Sequence, residues 1–573
     1  MSTSDHDWDE EVDLLVFGSG AGGLSAALVG SLQGLKVKLC EKTDFVGGTS
    51  AVSGGAIWIV ASTQAMRAGY RDSSEQGRIY LKHELGTYAR DDLIEAYLAS
   101  GAKMVDLLEE KTDVLFDSVS MPDYHAESPG GMQAGRVLVA KPFDGRSLHS
   151  DFKVLAYPLQ RLMAFGGMMV ASSDIPMILR PFHSMSYFRV FMRNVFRIAM
   201  DRIFYPRGTQ LYNGNALIGR LFLSLRKSGS AIHLKNSLSK LVVKENCVIG
   251  ALINTPTGLK KVKATCGVVL ATGGAAHSSD LQKSLMVNFP HNHTIAHSGS
   301  TGDGLSAAMN VGGSIDHDVS TPAVWSPASV LTKKDGSKVV FPYGYLDRGK
   351  PGCIAVNNEG KRFVNEAHSY QDVVKAMFDA TPSGQVPKAH LLCDSAFMYK
   401  YGLGMVRPHY IGLKSFLKSG YLLKASSLIS MAITIGVDPK NLEATVNRHN
   451  LFASTGIDED FGKGSTAFNA FNGDSTVKPN SNLSPILKAP FYALPITPAT
   501  LSVSIGLRTN ANAQVINGSN VVIGGLYACG NDMASVMRGC CPGGGVVLGP
   551  AMVFGYLAAM HASTNKLKSK FLN

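Results

Sequence analysis

The sequence has few cysteines and no pair of them in a C-x-x-C spacing. Its eight cysteines are scattered over 573 residues, apart from the neighbouring Cys540 and Cys541. Such a distribution is typical of reduced thiols in a cytoplasmic protein, and it gives no sign of a disulfide framework or an iron–sulfur site. We therefore expect free thiols, a cytoplasmic location and no metal centre.

The sequence also lacks a long apolar run and a block of basic residues. No uninterrupted apolar stretch is long enough to span a bilayer, and the acidic N-terminal MSTSDHDWDEEVD is unlike a secretory signal. The net charge is +11, but the basic residues are dispersed, and neither a zinc finger nor a helix-turn-helix pattern is present. We expect no nucleic-acid partner, and a protein that is soluble or at most peripheral to a membrane.

What the sequence does have is glycine and apolar residues in quantity. Hydrophobic residues make up 45% of the chain, charged residues 17%, and there are 60 glycines. This composition is typical of a globular α/β enzyme with many backbone turns and excludes a disordered chain. The length predicts at least two domains, with enough core to surround a large cofactor.

A strand, a glycine motif and a helix are predicted near the N-terminus. The apolar VDLLVF is a buried strand, and GSGAGGLSAALVGSLQG is a tight turn entering a helix. Gly18 permits the turn, Gly20 lets the backbone approach a pyrophosphate, and Gly23 lets the helix pack on the strand. A second strand, VKLCEK, ends near Glu41, whose carboxylate can accept hydrogen bonds from ribose hydroxyls. These features predict a Rossmann-type βαβ unit with a pyrophosphate at the helix N-terminus.

A second loop rich in glycine and hydroxyl groups predicts FAD rather than NAD. The loop follows Glu41 too closely to bind a separate ligand, so it should line the rest of a flavin dinucleotide. No second glycine motif with an acidic partner exists, so electrons should leave to a quinone or another carrier and not to NAD(P)H. No histidine lies in an evident flavinylation motif, so we expect non-covalent FAD. The predicted cofactor residues are Gly18, Gly20, Ala21, Gly22, Gly23, Glu41, Lys42, Gly48, Thr49, Ser50, Ser53, Gly54, Gly55, Ala271, Thr272, Gly273, Asp303, Gly530, Asn531, Gly545 and Val546.

The α/β pattern is interrupted in the middle of the chain and returns near the C-terminus. VVLATGG, from Val268, predicts a further buried strand, while residues 295–490 are richer in loops. A short antiparallel meander is predicted from the segments 241–243, 250–253 and 262–264. The fold class is therefore α/β: a discontinuous, glutathione-reductase-like FAD domain with an inserted α+β catalytic domain. The predicted ranges are 1–292 and 490–573 for the FAD domain and 293–489 for the catalytic domain.

The glycine run Gly543, Gly544 and Gly545 precedes a predicted helix that begins near Val546. A helix N-terminus at this point would face an anionic group. In a flavoprotein that group is the N1/C2 carbonyl edge of the isoalloxazine ring, where stabilised negative charge favours hydride acceptance.

Seven segments together identify a family. They are FGSGAGGLSAAL, EKTDFVGGTSAVSGGAIW, VVLATGG, STGDGLSAAMNVGG, RGKPGCIAVNNEGKRFVNE, GLYACGN and PGGGVVLGPAMVFGY. The chain resembles the 3-ketosteroid Δ1-dehydrogenases of the fumarate reductase/succinate dehydrogenase group of flavoproteins. The resemblance runs along nearly the whole chain and is weakest between residues 155 and 210.

The resemblance implies roles for four residues. Tyr370, in KRFVNEAHSYQD, would abstract the proton α to a substrate carbonyl, helped by Tyr124 in PDYHAESPGG. In the family, a tyrosine hydroxyl and a glycine N–H of a Y-P-G-x-G segment hold the carbonyl oxygen. Gly545 matches the glycine, but Cys541 stands at the tyrosine position.

The cysteine is a departure from the family pattern. A thiol is a weak and short hydrogen-bond donor, and one lost oxyanion donor costs about 10²–10³-fold in turnover. Either another donor has taken over, or the substrate sits differently, or the activity has changed. Cys541 either fills space beside the pocket or is itself a reactive thiol at a helix N-terminus. Other tyrosines that can supply a donor are Tyr343, Tyr345 and Tyr492.

The predicted function is FAD-dependent introduction of an α,β double bond into a cyclic ketone, with a 3-ketosteroid as the first substrate. Fumarate-type enzymes carry an arginine where this chain has Tyr370, and a phenol suits a ketone in an apolar pocket better than a dicarboxylate. Three alternatives stay open: a fumarate-reductase-like or enone C=C reductase, a desaturase of a smaller ketone such as cyclohexanone, and a non-catalytic FAD-binding protein.

Residues 160–204 combine aromatic residues and methionine with regularly spaced arginines. Arg189, Arg193 and Arg197 recur every fourth residue and share a helical face, whereas Phe188, Val190 and Phe191 should point elsewhere. Such a helix either lies on an anionic bilayer and collects a lipophilic substrate, or caps the FAD domain with snorkelling arginines.

Overall fold

A computed structural model describes residues 8–159, 163–289, 293–343 and 347–571. The strands are β1 Glu10–Phe17, β2 Val37–Glu41, β3 Ala56–Trp58, β4 Phe116–Ser118, β5 Val137–Ala140, β6 Phe143–Asp144, β7 Met163–Ala164, β8 Met168–Met169, β9 Gln210–Leu211, β10 Ile232–Leu234, β11 Ser237–Lys244, β12 Cys247–Thr255, β13 Gly258–Leu270, β14 Ile315–Asp316, β15 Ala323–Thr332, β16 Lys338–Pro342, β17 Cys353–Val356, β18 Ala389–Cys393, β19 Leu423–Ala425, β20 Phe491–Val503, β21 Gly506–Leu507, β22 Gln514–Ile516 and β23 Val522–Ala528. The helices are α1 Ala21–Leu32, α2 Gly48–Val52, α3 Thr63–Arg67, α4 Ser74–Leu85, α5 Asp91–Lys111, α6 Ile175–Leu179, α7 Met185–Phe204, α8 Asn213–Lys227, α9 Ser279–Leu285, α10 Asp303–Met309, α11 Tyr370–Asp379, α12 Ser395–Tyr401, α13 Leu413–Lys418, α14 Leu428–Ile435, α15 Pro439–Thr455, α16 Ala467–Asn472 and α17 Leu548–Phe571.

The nucleotide-binding part is built on a sheet with a parallel core. The strand order is β10-β2-β1-β13-β12-β23-β22, and β1 is parallel to both of its neighbours, β2 and β13. Leu14, Leu15 and Val16 of β1 are fully buried, as expected for a strand covered on both faces. Helix α1 packs against α17, so the two ends of the chain meet beside the first strand. The predicted α/β fold is confirmed.

One strand replaces two predicted ones. The segments 262–264 and the strand from Val268 were expected to be separate, but both belong to β13. Its first half pairs antiparallel with β12 in the predicted meander, and its last residues pair parallel with β23. On its other side, β1 runs parallel to it from Val262 to Leu270. Gly267, with φ +135°, lies where the neighbouring strand changes from β12 to β23. A glycine that suggests a strand end in the sequence therefore lies inside one continuous strand.

The inserted part contains an antiparallel sheet. Its order is β16-β15-β20-β18-β17, β19 also pairs with β20, and α11 packs against β15. The predicted boundary at residue 490 assigns β20 to the FAD domain, yet β20 forms the centre of this sheet. Conversely, α10 lies against the FAD domain, where the Gly304 N–H donates to Thr272 Oγ1. The division into two domains stays a prediction. Within it, β20 belongs with the inserted part and α10 belongs with the FAD domain.

The last helix begins slightly later than predicted. Helix α17 starts at Leu548 rather than near Val546, although the Gly549 N–H already donates to the Gly545 carbonyl. The difference of two residues reflects an irregular first turn. Among the residues that the structure describes, every helix is too short or too polar to cross a membrane.

Candidate active site

The first glycine motif is held by close backbone contacts. Gly18 has φ +103°, and a Cβ placed there would lie 2.1 Å from the Ala271 carbonyl oxygen. A Cβ on Gly23 would lie 1.9 Å from the Gly18 carbonyl oxygen. Any side chain at either position would push the turn between β1 and α1 away from the end of β13. The turn therefore requires glycine for packing as well as for conformation.

Open space for a ligand lies beside three other glycines of the two loops. A Cβ added to Gly48 or Gly54 would meet nothing within 4 Å, and one added to Gly20 would meet only the Ser50 hydroxyl, at 3.5 Å. Ser50 Oγ accepts the Ala21 N–H at 3.1 Å, which joins the two loops. Gly22 and Gly55 instead serve close contacts, with α17 and with the start of α8. The residues present fit an extended dinucleotide such as FAD.

Glu41 is fixed beside the first glycine turn. Its carboxylate accepts hydrogen bonds from the Ser19 N–H at 3.0 Å and the Ser19 hydroxyl at 2.6 Å, and from the backbone and hydroxyl of Thr43 at 2.9 Å. The next residue, Lys42, forms an ion pair with Asp303 at 2.8 Å. Both predicted cofactor residues thus lie at the carboxyl end of β2, where a ribose would sit.

A buried carboxylate that the sequence did not single out connects two loops that carry predicted cofactor residues. Asp532 accepts hydrogen bonds from the Thr272 backbone, from the Thr272 hydroxyl at 2.9 Å and from the Gly274 N–H at 3.0 Å. Burial raises its pKa despite these bonds. Asp532 directly follows the GLYACGN segment, so its position beside a recognised motif was the available signal. Next to it, Asn531 accepts from the Ser502 hydroxyl at 2.7 Å.

A narrow cleft lies between this loop and α17. Predicted cofactor residues Gly530 and Asn531 line it together with residues of the last helix and of β20. Those lining residues include Ser502, Val503, Val547, Pro550, Ala551 and Phe554. The cleft lies on the side where the N-terminus of α17 was expected to meet the flavin.

The structure brings three of the four predicted catalytic residues into one cluster. The rings of Tyr124 and Tyr370 meet edge to face, with centroids 5.7 Å apart, and their hydroxyl groups are hydrogen-bonded. Cys541 Sγ donates to the Tyr370 hydroxyl at 3.3 Å. The fourth residue, Gly545, ends the same loop, and its carbonyl accepts the Trp58 N–H at 3.3 Å.

Tyr370 and Cys541 are uncharged at neutral pH. Burial raises the pKa of Tyr370 far above its ordinary value, and the neighbouring Cys541 and Tyr124 raise it further. Burial also raises the pKa of the Cys541 thiol. The thiol is therefore a hydrogen-bond donor to the phenol, which does not favour the alternative of a reactive thiolate.

The other candidate donors lie elsewhere or are engaged. The Tyr343 hydroxyl is bonded to Ser329 at 2.9 Å and to Tyr421 at 3.2 Å. Tyr492 belongs to β20, opposite Cys393 of β18. Tyr345 lies outside the described residues.

An ion-paired histidine clamps the two tyrosine-bearing segments together. His125 follows Tyr124, and its Nδ1 lies 2.6 Å from Glu84 while its Nε2 lies 3.1 Å from Asp372 of α11. Burial opposes its charged form, but the hydrogen bonds to Asp372 and Glu84 prevail and raise the pKa of His125 to about 10. The imidazolium thus links the Tyr124 loop to the helix that begins at Tyr370.

The other neighbour of Tyr124 is fixed as well. Asp123 accepts the Trp58 indole N–H at 2.7 Å and pairs with the buried Arg136 at 2.8 Å. The Tyr124 N–H itself donates to the Pro542 carbonyl at 2.9 Å, next to Cys541. The backbone of Tyr124 is therefore held by its own hydrogen bond and by the contacts of both neighbouring residues.

We expect His125→Gln to lower kcat about tenfold, because a small displacement of Tyr124 or Tyr370 would move its hydroxyl out of position for the substrate. FAD content should be unchanged. In the wild type, the raised pKa of His125 adds to the free energy of unfolding. This contribution is complete below pH 6.5, the ordinary histidine pKa, and is lost as pH rises through about 10. The melting temperature of the wild type should therefore fall over this range more steeply than that of the variant.

The matched control is His83→Gln, since His83 is exposed on α4, the helix that carries Glu84. It should change neither kcat nor the pH dependence of melting. Parallel melting curves for wild type and His125→Gln across the alkaline range would refute the clamp.

Known proteins resemble this chain along nearly its whole length. A family model described as an FAD binding domain matches residues 13–548. The chain is 34% identical over 553 residues to 4-oxocyclohex-2-ene-1-carboxylate 5-dehydrogenase of Sinomonas cyclohexanicum. The alignment covers 95% of this chain and 92% of the relative. It is 32% identical over 570 residues to 3-oxosteroid 1-dehydrogenase of Mycobacterium tuberculosis (strain ATCC 25618 / H37Rv). That alignment covers 96% of this chain and 98% of the relative.

Solved structures give the same picture. The chain superimposes on the 3-ketosteroid delta1-dehydrogenase of Sterolibacterium denitrificans in complex with 1,4-androstadiene-3,17-dione with a TM-score of 0.88 and 30% identity, over 97% of this chain and 100% of that one. The open conformation of a flavocytochrome c3 fumarate reductase shares the fold, with a TM-score of 0.63 and 21% identity over 98% of this chain and 79% of the other.

Proposed function

Because the chain belongs to the FAD binding domain family and is an FAD-dependent oxidoreductase of the 3-oxosteroid 1-dehydrogenase type, we propose that it introduces an α,β double bond into a 3-ketosteroid. The observation that carries the proposal is the partly buried contact among Tyr124, Tyr370 and Cys541. A group of uncharged donors in an apolar setting suits a ketone, whereas a dicarboxylate needs cations.

In the proposed reaction, Tyr370 first loses its own proton to solvent, and its phenolate Oη then takes the proton from the carbon next to the substrate carbonyl. The Cys541 thiol hydrogen-bonds to this oxygen, and Cys541 and Tyr124 both raise its pKa, so the phenolate is a strong base once it has formed. Cys541 therefore forms its hydrogen bond with Tyr370, the proposed base, and not with the substrate carbonyl. The carbonyl oxygen is left to the Gly545 N–H and the end of α17, a weaker oxyanion site than the family pattern.

FAD, when bound, supplies the acceptor for the hydride that leaves the β-carbon. The chain would hold it through the loops around Gly18, Gly20 and Gly48, with Glu41 at the ribose and α17 directed at the ring. We propose that it is held without a covalent bond. Acid precipitation tests this, since the yellow colour should stay in the supernatant and not in the pellet.

A smaller ring is the second candidate substrate. The specific observation is the 34% identity to a dehydrogenase whose name specifies an oxocyclohexene carboxylate. The same proton abstraction would serve either ring system, because it involves only the carbonyl and its two neighbouring carbons.

The substrate is tested by turnover with a dye acceptor on a panel of ketones. A 3-oxosteroid should be oxidised with the loss of two hydrogens, detected by mass spectrometry. Preference for 4-oxocyclohexanecarboxylate would favour the second candidate. Oxidation of neither, with fast reoxidation of the reduced enzyme by fumarate, would refute the proposal and favour a reductase. A quinone should replace the dye, while NAD⁺ should not.

The reaction should accelerate with pH. Burial, Cys541 and Tyr124 raise the pKa of Tyr370 above its ordinary value of 10.0, so the proton-accepting phenolate is a minor form at neutral pH. Its fraction grows about tenfold for each pH unit below the pKa, so log kcat/KM should rise with a slope of about one. A pH profile from neutral to alkaline solution measures this slope. A flat profile would exclude Tyr370 as the base that limits the rate.

A further inference from the structure

Helix α7 turns an apolar face to solvent. Asn194, Ile198 and Asp201 are its buried residues, on the opposite side. The exposed apolar residues recur every three or four positions and so form one stripe: Met185, Phe188, Met192, Phe196, Met200, Ile203 and Phe204. Helices of water-soluble proteins normally turn such a stripe inward. A helical cap on the FAD domain, the other interpretation of this segment, would leave the stripe in contact with water.

The stripe continues onto the segment before α7. Phe182 is 87% exposed and stacks on Phe188, with ring centroids 6.1 Å apart. Ile175, the first residue of α6, is also exposed, and α6 packs on α7. We call the exposed apolar residues of α6, α7 and the loop between them the α6–α7 surface. Single exposed apolar side chains are common, but a contiguous set of this kind marks a binding surface.

Positive charges predominate around the α6–α7 surface, although Asp174 pairs with Arg193 at 2.7 Å and Asp144 pairs with Arg197 at 3.1 Å. Residues 175–206 contain five arginines and a single acidic residue, Asp201. Asp201 is buried and accepts the Thr209 N–H at 2.7 Å, so it adds no exposed negative charge. The five arginines are Arg180, Arg189, Arg193, Arg197 and Arg202. An apolar stripe flanked by cations is complementary to an anionic lipid surface.

We propose that the α6–α7 surface docks on an anionic bilayer, with its apolar stripe at the acyl boundary and its arginines at the lipid phosphates. A second copy of the chain is the less favourable occupant. A symmetric pairing of this face would bring the arginines of both copies together, and like charges oppose such an interface. The proposal goes beyond the reaction described above and does not depend on it.

The test is flotation of the FAD-loaded, full-length enzyme with vesicles of phosphatidylcholine, with and without phosphatidylglycerol. The enzyme should float with the anionic vesicles. Phe196 and Phe204 are 68% and 77% exposed, so their replacement should spare the fold. The double variant Phe196→Gln/Phe204→Gln should lower the partition coefficient about a hundredfold. Arg189→Gln should lower it about fivefold.

The matched control is Ile433→Gln, which replaces an apolar residue that is 70% exposed on α14. Its partition coefficient should equal that of the wild type. Recovery of the wild type in the soluble fraction with both kinds of vesicle would overturn the proposal. So would equal binding to both vesicles, or concentration-dependent self-association in ultracentrifugation that the double variant removes. None of these readouts uses turnover, so failure here is distinguishable from failure of the proposed reaction.

Discussion

Tyr370→Phe is expected to lower turnover about a thousandfold while leaving FAD binding intact. The substitution removes the hydroxyl that would take the substrate proton, and positioned bases of this kind contribute about 10²–10⁴-fold. The ring keeps its edge-to-face contact with Tyr124, so the pocket should retain its shape. Single-turnover kinetics with a ketone substrate measures the loss, and the flavin absorbance spectrum reports the cofactor.

Tyr343→Phe is the matched control for this prediction. Tyr343 is fully buried, whereas Tyr370 is partly buried, and the hydrogen-bond partners of Tyr343 are Ser329 and Tyr421. Its loss should cost about 1 kcal/mol of unfolding free energy, with little change in turnover. If the two variants lose turnover equally, the effect of Tyr370 is structural, and its assignment as the base is wrong.

Gly18→Ala is expected to weaken FAD binding more than a hundredfold. A side chain at φ +103° is strained, and its Cβ would lie 2.1 Å from the Ala271 carbonyl oxygen, a backbone atom that cannot move alone. Together these costs exceed about 3 kcal/mol, which corresponds to about a hundredfold in Kd. The purified variant should be nearly colourless, and titration with FAD should show the weakened affinity.

Gly34→Ala separates the local contact from the general cost of a positive φ. Gly34 has φ +75°, but a Cβ there meets nothing within 4 Å. This variant should be somewhat less stable and should bind FAD normally. Wild-type FAD affinity in Gly18→Ala would contradict the placement of the cofactor at the β1–α1 turn.

The nucleotide-binding half was predictable because its signals are local. The strand, the glycine turn and the helix are adjacent in sequence, and Gly18 and Gly23 are required by contacts within that unit and with the end of β13. Tyr124, Tyr370 and Cys541 are far apart in sequence, and only the family resemblance connected them. That they meet is a result of the fold, whereas their catalytic roles stay a prediction.

Other features depend on contacts that the sequence does not display. The clamp of His125 joins Glu84 to Asp372, and each of these looks like an ordinary polar residue by itself. The central place of β20 in the inserted sheet follows from long-range pairing across the predicted boundary. The outward direction of the apolar stripe on α7 could not be predicted, because periodicity shows that a helix is amphipathic but not which side faces the protein.

The most direct measurement is anaerobic mixing of the yellow enzyme with a 3-oxosteroid, followed by its flavin absorbance. If bound FAD oxidises a cyclic ketone beside Tyr370, the absorbance should bleach in one turnover, and the recovered steroid should carry a new double bond next to its carbonyl. An enzyme that is loaded with FAD but stays oxidised with the steroid and with every smaller cyclic ketone would contradict this function.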